Sequence, residues 1–452
     1  MKKVMITITV VILMTVLAAT AAFASDYDCV ANELSQIGMF RGTGTGFELD
    51  RAPTRAEAAT ILVRLYGAED EAEADFASGN ISSPFTDVNN NAAPYVAWLY
   101  KKGLTNGTSA TTFTPNAACN AKMYCSFVLR ALGYDGSDFK YADALTFAEQ
   151  KGFYSTAIFT GNFTRDEMAA VTYQALAVNL KDGTTYLLDS LVKSGAVDKT
   201  AAASITSKIE TYRAMEKAIK ATDSNNIDAD INQIMDYSMT ISGQETTGTS
   251  TTTGNIKVIT KDSDLQMASQ MNTAAAGETS TIGMWLKDGW MYMNMSTGTE
   301  TWKYKYSVGD ELSAVMSESG MEMLDNDMSA LAVIKSIESK ISGTDTVYTM
   351  VLNGDGISSL ADEAIKGMGA DKASIDSFDI GDMTMTVTVS CTGALENMTM
   401  KYGMTMAMKT AGQTVSMTAD YDTTMKINKT GSAVSITFPD LSGYEEMKNP
   451  AA

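Results

Sequence analysis

Phe85-Thr86-Asp87-Val88, then Pro94-Tyr95-Val96-Ala97-Trp98-Leu99-Tyr100, then Gly103-Leu104-Thr105-Asn106-Gly107 and Phe113-Thr114-Pro115: this ordered stretch decides how the first part of the chain folds. It reads as helix, glycine-bearing loop, helix, the last running from Met123 to Leu132. Partial copies flank it at a spacing of about 45–60 residues, the range in which repeat architectures arise. The first copy carries Leu34, Ile37-Gly38, Gly42, Phe47 and Thr54-Arg55-Ala56-Glu57, followed by a helix through Tyr66. The third carries Ala142, Phe147-Ala148, Gly152-Phe153 and Thr164-Arg165-Asp166-Glu167, followed by a helix through Leu176. Thr54 with Glu57, and Thr164 with Glu167, have the spacing of capping boxes, in which the threonine oxygen accepts from the N3 amide and the glutamate reaches back to the N-cap amide. Behind each cap runs an apolar helix face, which one unit alone cannot bury and three stacked units can share.

The set resembles the S-layer homology family over about residues 26–178. The resemblance implies an all-α, three-repeat bundle with repeats at about 26–69, 84–134 and 138–178. Its inter-repeat grooves would bind a secondary cell-wall polysaccharide, often pyruvylated. Arg55 and Arg165 match the family's ligand-binding arginine, and Asp87 and Trp98 match the opening positions that line its grooves. A guanidinium fork suits a ketal carboxylate, and a helix N-terminus already favours anions. The second repeat departs from the pattern, with Cys119-Asn120-Ala121-Lys122 where the box belongs. Lys122 would there be a weaker point charge. The first repeat lacks the Phe-x-Asp opening and the third is degenerate at its start, so one or two competent grooves are expected rather than three.

The remaining composition narrows the function. The chain has 452 residues and a formal net charge of −20, which excludes a general electrostatic grip on nucleic acid. Histidine is absent, removing the commonest general base and metal ligand. Cys29, Cys119, Cys125 and Cys391 form no zinc spacing. No metal, cofactor or catalytic residue is expected. Residues 1–24 read as an export signal: Lys2-Lys3, an apolar stretch from Val4 to Leu17, and Ala22-Phe23-Ala24 before a cleavage point. No other apolar run spans a bilayer, so a mature chain without a transmembrane segment, secreted and held at the wall, is expected. Residues 179–222 read as a helical connector.

Composition shifts near residue 225: every arginine lies at or before Arg213, and most methionines follow it. From about residue 232 the period becomes two. Met383, Met385, Val387 and Val389 share one face. So do Met398, Met400, Tyr402, Met404, Met406 and Met408, and, in the next run, Val415 and Met417, opposite threonine, lysine and aspartate. Ile282–Lys287 and Trp290–Asn294 flank Asp288-Gly289, a type I′ hairpin signal. Helical patterns are expected at about 310–338 and 357–368. Residues 223–446 thus read as a methionine-rich antiparallel β domain with covering helices, ahead of a tail at 447–452. The whole is a multidomain α+β chain. The sheet outline is faintly similar to lipoprotein-carrier-like half-barrels, which enclose an apolar cavity, and methionine suits adaptable apolar surfaces. Three readings stay open: a non-catalytic wall-anchored protein whose sheet takes an apolar or envelope ligand, a wall-anchored glycan hydrolase using paired carboxylates, and a structural S-layer subunit.

Overall fold

The computed structural model describes residues 27–155, 162–222, 226–241, 243–261, 264–298, 300–308, 328–354, 375–410 and 413–447. The export signal lies outside them. The chain is a multidomain α+β protein in two compact units that divide at Glu210/Thr211, with residues 326–333 grouped with the first.

The first unit is helical. Its elements are α1 (Asp28–Gln36), α2 (Arg55–Leu65), α3 (Glu69–Ala77), α4 (Ala93–Lys101), α5 (Ala121–Ala131), α6 (Ala144–Gln150), α7 (Arg165–Leu176), α8 (Leu187–Ser194) and the start of α9 (Ala203–Ala221). The repeat helices α2, α5 and α7 meet at the centre, where Leu62, Leu65, Tyr124, Leu129 and Tyr173 are buried. All of α7 is buried, and Tyr124 of α5 bonds Thr172 of α7 across the core. Gly107 shows why the second repeat needs its glycine. Its φ is +70°, which a side chain tolerates poorly, and an added Cβ would sit 2.3 Å from the Phe85 ring.

The segment expected as a connector is divided between the units. Leu187, Leu188, Leu191, Ile205 and Ile209 are buried in the helical unit. Lys208 of α9, 6% exposed, donates to Glu33 of α1 at 2.6 Å, and Tyr173 of α7 donates to the other oxygen of the same carboxylate. One acid therefore ties three helices. Helix α3 escapes sequence periodicity because only Ala72 of it is buried. Acidic residues in its first turn suit the helix dipole, and Tyr95 of α4 donates to Glu73 at 2.6 Å.

The second unit is one sheet. Its strands are β1 (Asn226–Ile241), β2 (Gln244–Lys261), β3 (Asp264–Ala275), β4 (Glu278–Lys287), β5 (Trp290–Thr297), β6 (Glu300–Ser307), β7 (Ile334–Ser342), β8 (Asp345–Leu352), β9 (Ile375–Ile380), β10 (Met383–Val389), β11 (Leu395–Thr410), β12 (Gln413–Thr430) and β13 (Glu445–Glu446). The order is β13-β6-β5-β4-β3-β2-β1-β12-β11-β10-β8-β7, with β9 also on β11. Two antiparallel meanders are joined by the β1–β12 pair, and the expected all-antiparallel sheet is corrected at one place, where β13 runs parallel to β6. The Asp288-Gly289 hairpin forms as read, with φ of +53° and +74°.

The helical expectation at 310–338 is overturned at its end. Ile334, Ile337 and Ile341 have helical spacing, but residues 334–342 form β7, whose bulge between Ile334 and Ser336 resets the register against β8. It is an edge strand with Ile341 75% exposed. Residues 328–333 are helical, as a 3-10 helix, while 310–327 and 357–368 lie outside the described residues.

Removing the Glu33 carboxylate takes away the acid that faces the buried Lys208 ammonium. Glu33→Ala should lower stability by roughly 3–5 kcal/mol. Glu33→Leu combined with Lys208→Met should recover most of that loss, both read from urea denaturation midpoints.

Candidate functional site

Two of the three repeat helices begin in the same geometry. At α2, Thr54 accepts from the Glu57 amide at 3.2 Å and Glu57 accepts from the Thr54 amide at 2.7 Å. At α7, the corresponding distances for Thr164 and Glu167 are 3.3 and 2.8 Å. Both capping boxes therefore form as read. At α5 the cap is halved: Asn120 accepts from the Met123 amide at 2.9 Å, and methionine replaces the returning glutamate. Lys122 lies half-buried in the first turn.

A loop from a neighbouring repeat docks on each boxed helix. The Arg55 amide donates to the Ala117 carbonyl and the Ala56 amide to Pro115. In the matching place the Arg165 amide donates to Arg51 and the Asp166 amide to Leu49. Arg55 Nε donates to the Phe113 carbonyl at 3.0 Å, and Arg165 Nε to the Phe47 carbonyl at 2.8 Å. The residue after each phenylalanine, Thr114 or Glu48, sits at positive φ, +54° or +50°. Such backbone costs about 1–2 kcal/mol in a non-glycine residue, and it recurs because each loop must turn its carbonyls onto a helix. These contacts correct one expectation. The first amides of α2 and α7 are already bonded to carbonyls or caps, so the helix ends offer no free amides to an anion.

The two arginines then part. Arg165 is 3% exposed and lies over the Phe40 ring at 4.7 Å. It bonds Glu57 at 2.8 Å and also donates to the Arg41 carbonyl at 3.2 Å. Arg55 is half-buried and lies over the Phe113 ring at 4.8 Å. Among the described residues the Phe113 carbonyl is its only side-chain hydrogen-bond partner, so the outer edge of its fork is open. Asp87, exposed beside it, accepts from the Phe113 and Thr114 amides at 2.9 and 2.8 Å. Those amides hold its carboxyl below the usual range, with Arg55 adding to the effect. Tyr141, 52% exposed, also lies within the field of Arg55. Trp98 is not at a groove: it is 3% exposed, packed on Tyr66 at 5.5 Å, with Lys102 over its ring at 5.0 Å.

Glu57 is the electrostatic hub. Besides its cap it accepts two bonds from Arg51, at 2.6 and 3.1 Å, and one from Arg165. Burial pushes its carboxyl up, but Arg51, the Thr54 amide and Arg165 outweigh it and hold the group below 4.5. Glu167 lacks such cations, and burial raises it despite the Thr164 amide. Sequence reading passed over Arg51 because nothing in the repeat marks it.

In the sheet, Met383, Tyr402, Met404 and Met417 are buried, while Met385, Met398, Met400, Met406 and Met408 are half-buried. The opposite face brings together a pair that sequence reading missed. Asp236 of β1 stands directly across from Asp420 of β12. Both line a shallow depression of about 400 Å³ with Ser238, Thr247, Thr249 and Thr418. Among the described strands, the β1–β12 pairing is what joins residues so distant in the chain.

Comparison with known proteins bears on both units. Residues 207–440 match a family described as "Family of unknown function (DUF6612)", and residues 84–120 match the S-layer homology domain. A "Cell surface protein" of Thermoanaerobacter kivui is 30% identical over 192 residues, 40% of this chain and 25% of that protein. An "Endoglucanase" of Bacillus sp. (strain KSM-635) is 30% identical over 132 residues, 26% of this chain and 14% of that protein. The chain thus spans a quarter or less of these relatives. The solved structure of a DUF1329 family protein from Desulfovibrio piger aligns with 50% of this chain and 95% of its own, at 10% identity and a TM-score of 0.18. The S-layer homology domain makes this a cell-surface chain anchored at the wall. No helix among the described residues is long and apolar enough to cross a membrane.

The contrast between the boxes is measurable. The stability that Glu57 contributes is complete above its unfolded pKa near 4.5 and is lost as pH falls through its lower folded value. Glu57→Gln should cost roughly 3 kcal/mol near neutral pH, because Arg165 keeps a buried charge. The variant should also lose less stability than the parent between about pH 5 and pH 3. Glu167→Gln should cost under about 1 kcal/mol, since glutamine still completes a capping box and no cation is stranded. Denaturant titrations across that range check all three.

Proposed function

The chain belongs to the DUF6612 family of unknown function, and from that premise, with its S-layer homology domain, we propose that it is a non-catalytic surface protein. In this reading the helical unit grips an acidic secondary cell-wall polysaccharide, and the sheet is a separate binding domain. The observation that carries the anchor is the open fork of Arg55. Its Nε and one face are fixed by Phe113, which leaves the terminal nitrogens preoriented for a carboxylate such as that of a pyruvyl ketal. Phe113 and Asp87 act by placing the arginine, since the Asp87 oxygens are engaged by backbone amides. Exposed Tyr141 would supply a flat apolar surface for a sugar ring. Arg165 is committed to Glu57, which favours one arginine-bearing groove over two. Lys122, with no carboxylate partner among the described residues, remains the cation of the second repeat.

The sheet as a binding domain rests on its half-buried methionines, adaptable side chains that suit an apolar or envelope ligand. The Asp236–Asp420 pair favours a second reading, a glycan hydrolase, in which two carboxylates flank the bond to be cut. Against it, the depression is shallow, and Asp236 is engaged by Thr249 at 2.5 Å.

Sedimentation with purified wall sacculi tests the anchor. Arg55→Ala should lose at least about tenfold in binding while its melting temperature stays near that of the parent. Stripping the secondary polymer from the sacculi should abolish binding by the parent chain. Retained binding by Arg55→Ala, or undiminished binding to stripped walls, rejects the reading. Glycan release that disappears in Asp420→Asn would support the hydrolase instead.

A further inference from the structure

The buried face of the sheet is not uniformly apolar. Gln233 of β1 is 2% exposed and has Thr423 of β12 on one side and Thr252 of β2 on the other, with Thr273 of β3 beyond. The register makes these four one cross-strand row, and cross-strand partners point to the same face. Continued the other way, the same row passes from Thr423 to Met400 and then Met385. Four of these six residues are therefore polar and the last two are thioethers.

Part of this polar strip is satisfied. Gln233 Nε2 donates to Thr423 Oγ1 at 3.1 Å, and the Thr252 and Thr273 hydroxyls are 2.9 Å apart. Part of it is not. Gln233 Oε1, Ser250 Oγ and Tyr421 OH have no hydrogen-bond partner among the described residues. Ser250 and Tyr421 are each 2% exposed, and they flank Met235 on the adjoining row. An unpaired buried polar atom costs about 1–3 kcal/mol, and such atoms are rare enough in native folds to need a partner. Gln233 Oε1 can only accept, whereas the two hydroxyls can donate or accept. The missing partner must therefore bring at least one hydrogen-bond donor, beside apolar surface that the methionines can follow.

We propose that this face binds an amphiphile, with an acyl chain along the methionine end of the row and a hydroxyl- or amide-bearing head group on the strip centred at Gln233. The proposal rests on the reading of the sheet as a binding domain. It adds that the domain selects for a donor-bearing head group rather than for apolar bulk. A bare hydrocarbon leaves Gln233 Oε1 unpaired. A methyl ester can accept from the hydroxyls and still leaves it unpaired.

The test is NMR of the full chain carrying methyl-labelled methionine, titrated with monopalmitoylglycerol, methyl palmitate and hexadecane. The expected result is that monopalmitoylglycerol shifts the Met385 and Met400 methyl signals and binds roughly tenfold more tightly than methyl palmitate. Gln233→Leu should erase that preference while methyl palmitate affinity holds. Ser250→Ala, which leaves a smaller change in the core, should weaken binding of both oxygenated probes and not of hexadecane. Equal affinity for all three probes would overturn the polar strip and keep the apolar binding domain. No methionine shift with any probe would overturn both. A Gln233→Leu variant that melts higher than the parent with its preference intact would make the strip a water-filled structural feature and overturn the proposal.

Discussion

The contact on which the helical unit turns is the carboxylate of Glu57. A capping glutamate ordinarily closes one helix end. Here the same two oxygens also neutralise Arg51 from the preceding loop and Arg165 from another repeat. Arg165 could not be buried without that partner, and with Arg165 go the Phe47 and Arg41 carbonyls that it bonds. The loop that shapes one repeat is thereby fixed to the helix of another. This is how repeats with little sequence in common keep a common arrangement: the conserved geometry is a set of carbonyls delivered to helix ends, and the charges are placed to hold them there.

That economy also separates two arginines that look alike in sequence. Arg55 and Arg165 occupy the same position of the same capping box, point Nε at the same kind of carbonyl and stack on the same kind of ring. The difference lies in what stands across from the fork. Arg165 meets an acid and is withdrawn from solvent. Arg55 does not, and its outer edge remains available.

Much of the architecture was legible because it rests on local rules. The capping boxes, the Asp288-Gly289 hairpin and the methionine-bearing strands β10 to β12 follow from spacing alone. The failures have physical causes. Helix α3 buries one alanine and so has no periodicity to read. Strand β7 carries isoleucines at helical intervals and is fixed as a strand only by a bulge and a neighbour. The threonine-rich β2 does not alternate in polarity because part of its buried face is itself polar, at Ser250 and Thr252. Trp98 matches a position that lines grooves in the family, yet as a large apolar ring on a helix it suits the core, and that is where it lies. The fate of Arg165 was illegible because it depends on Glu57, more than a hundred residues earlier, and the Asp236–Asp420 pair depends on the joining of the first and last long strands.

The two margins of the sheet are finished differently. On one side the two-residue β13 pairs with β6 at Tyr304 and Lys305, running parallel to it. On the other, β7 runs nine residues with Ile341 outward and Lys335, Glu338 and Lys340 spaced along it. Molecules anchored to a wall stand close together, and crowding raises the frequency of edge-to-edge encounters. The bulge between Ile334 and Ser336 and the charges along β7 oppose such pairing, because a neighbouring strand would meet an irregular edge and like charges. Resistance to fibre growth at that margin therefore comes from irregularity and charge rather than from a covering strand.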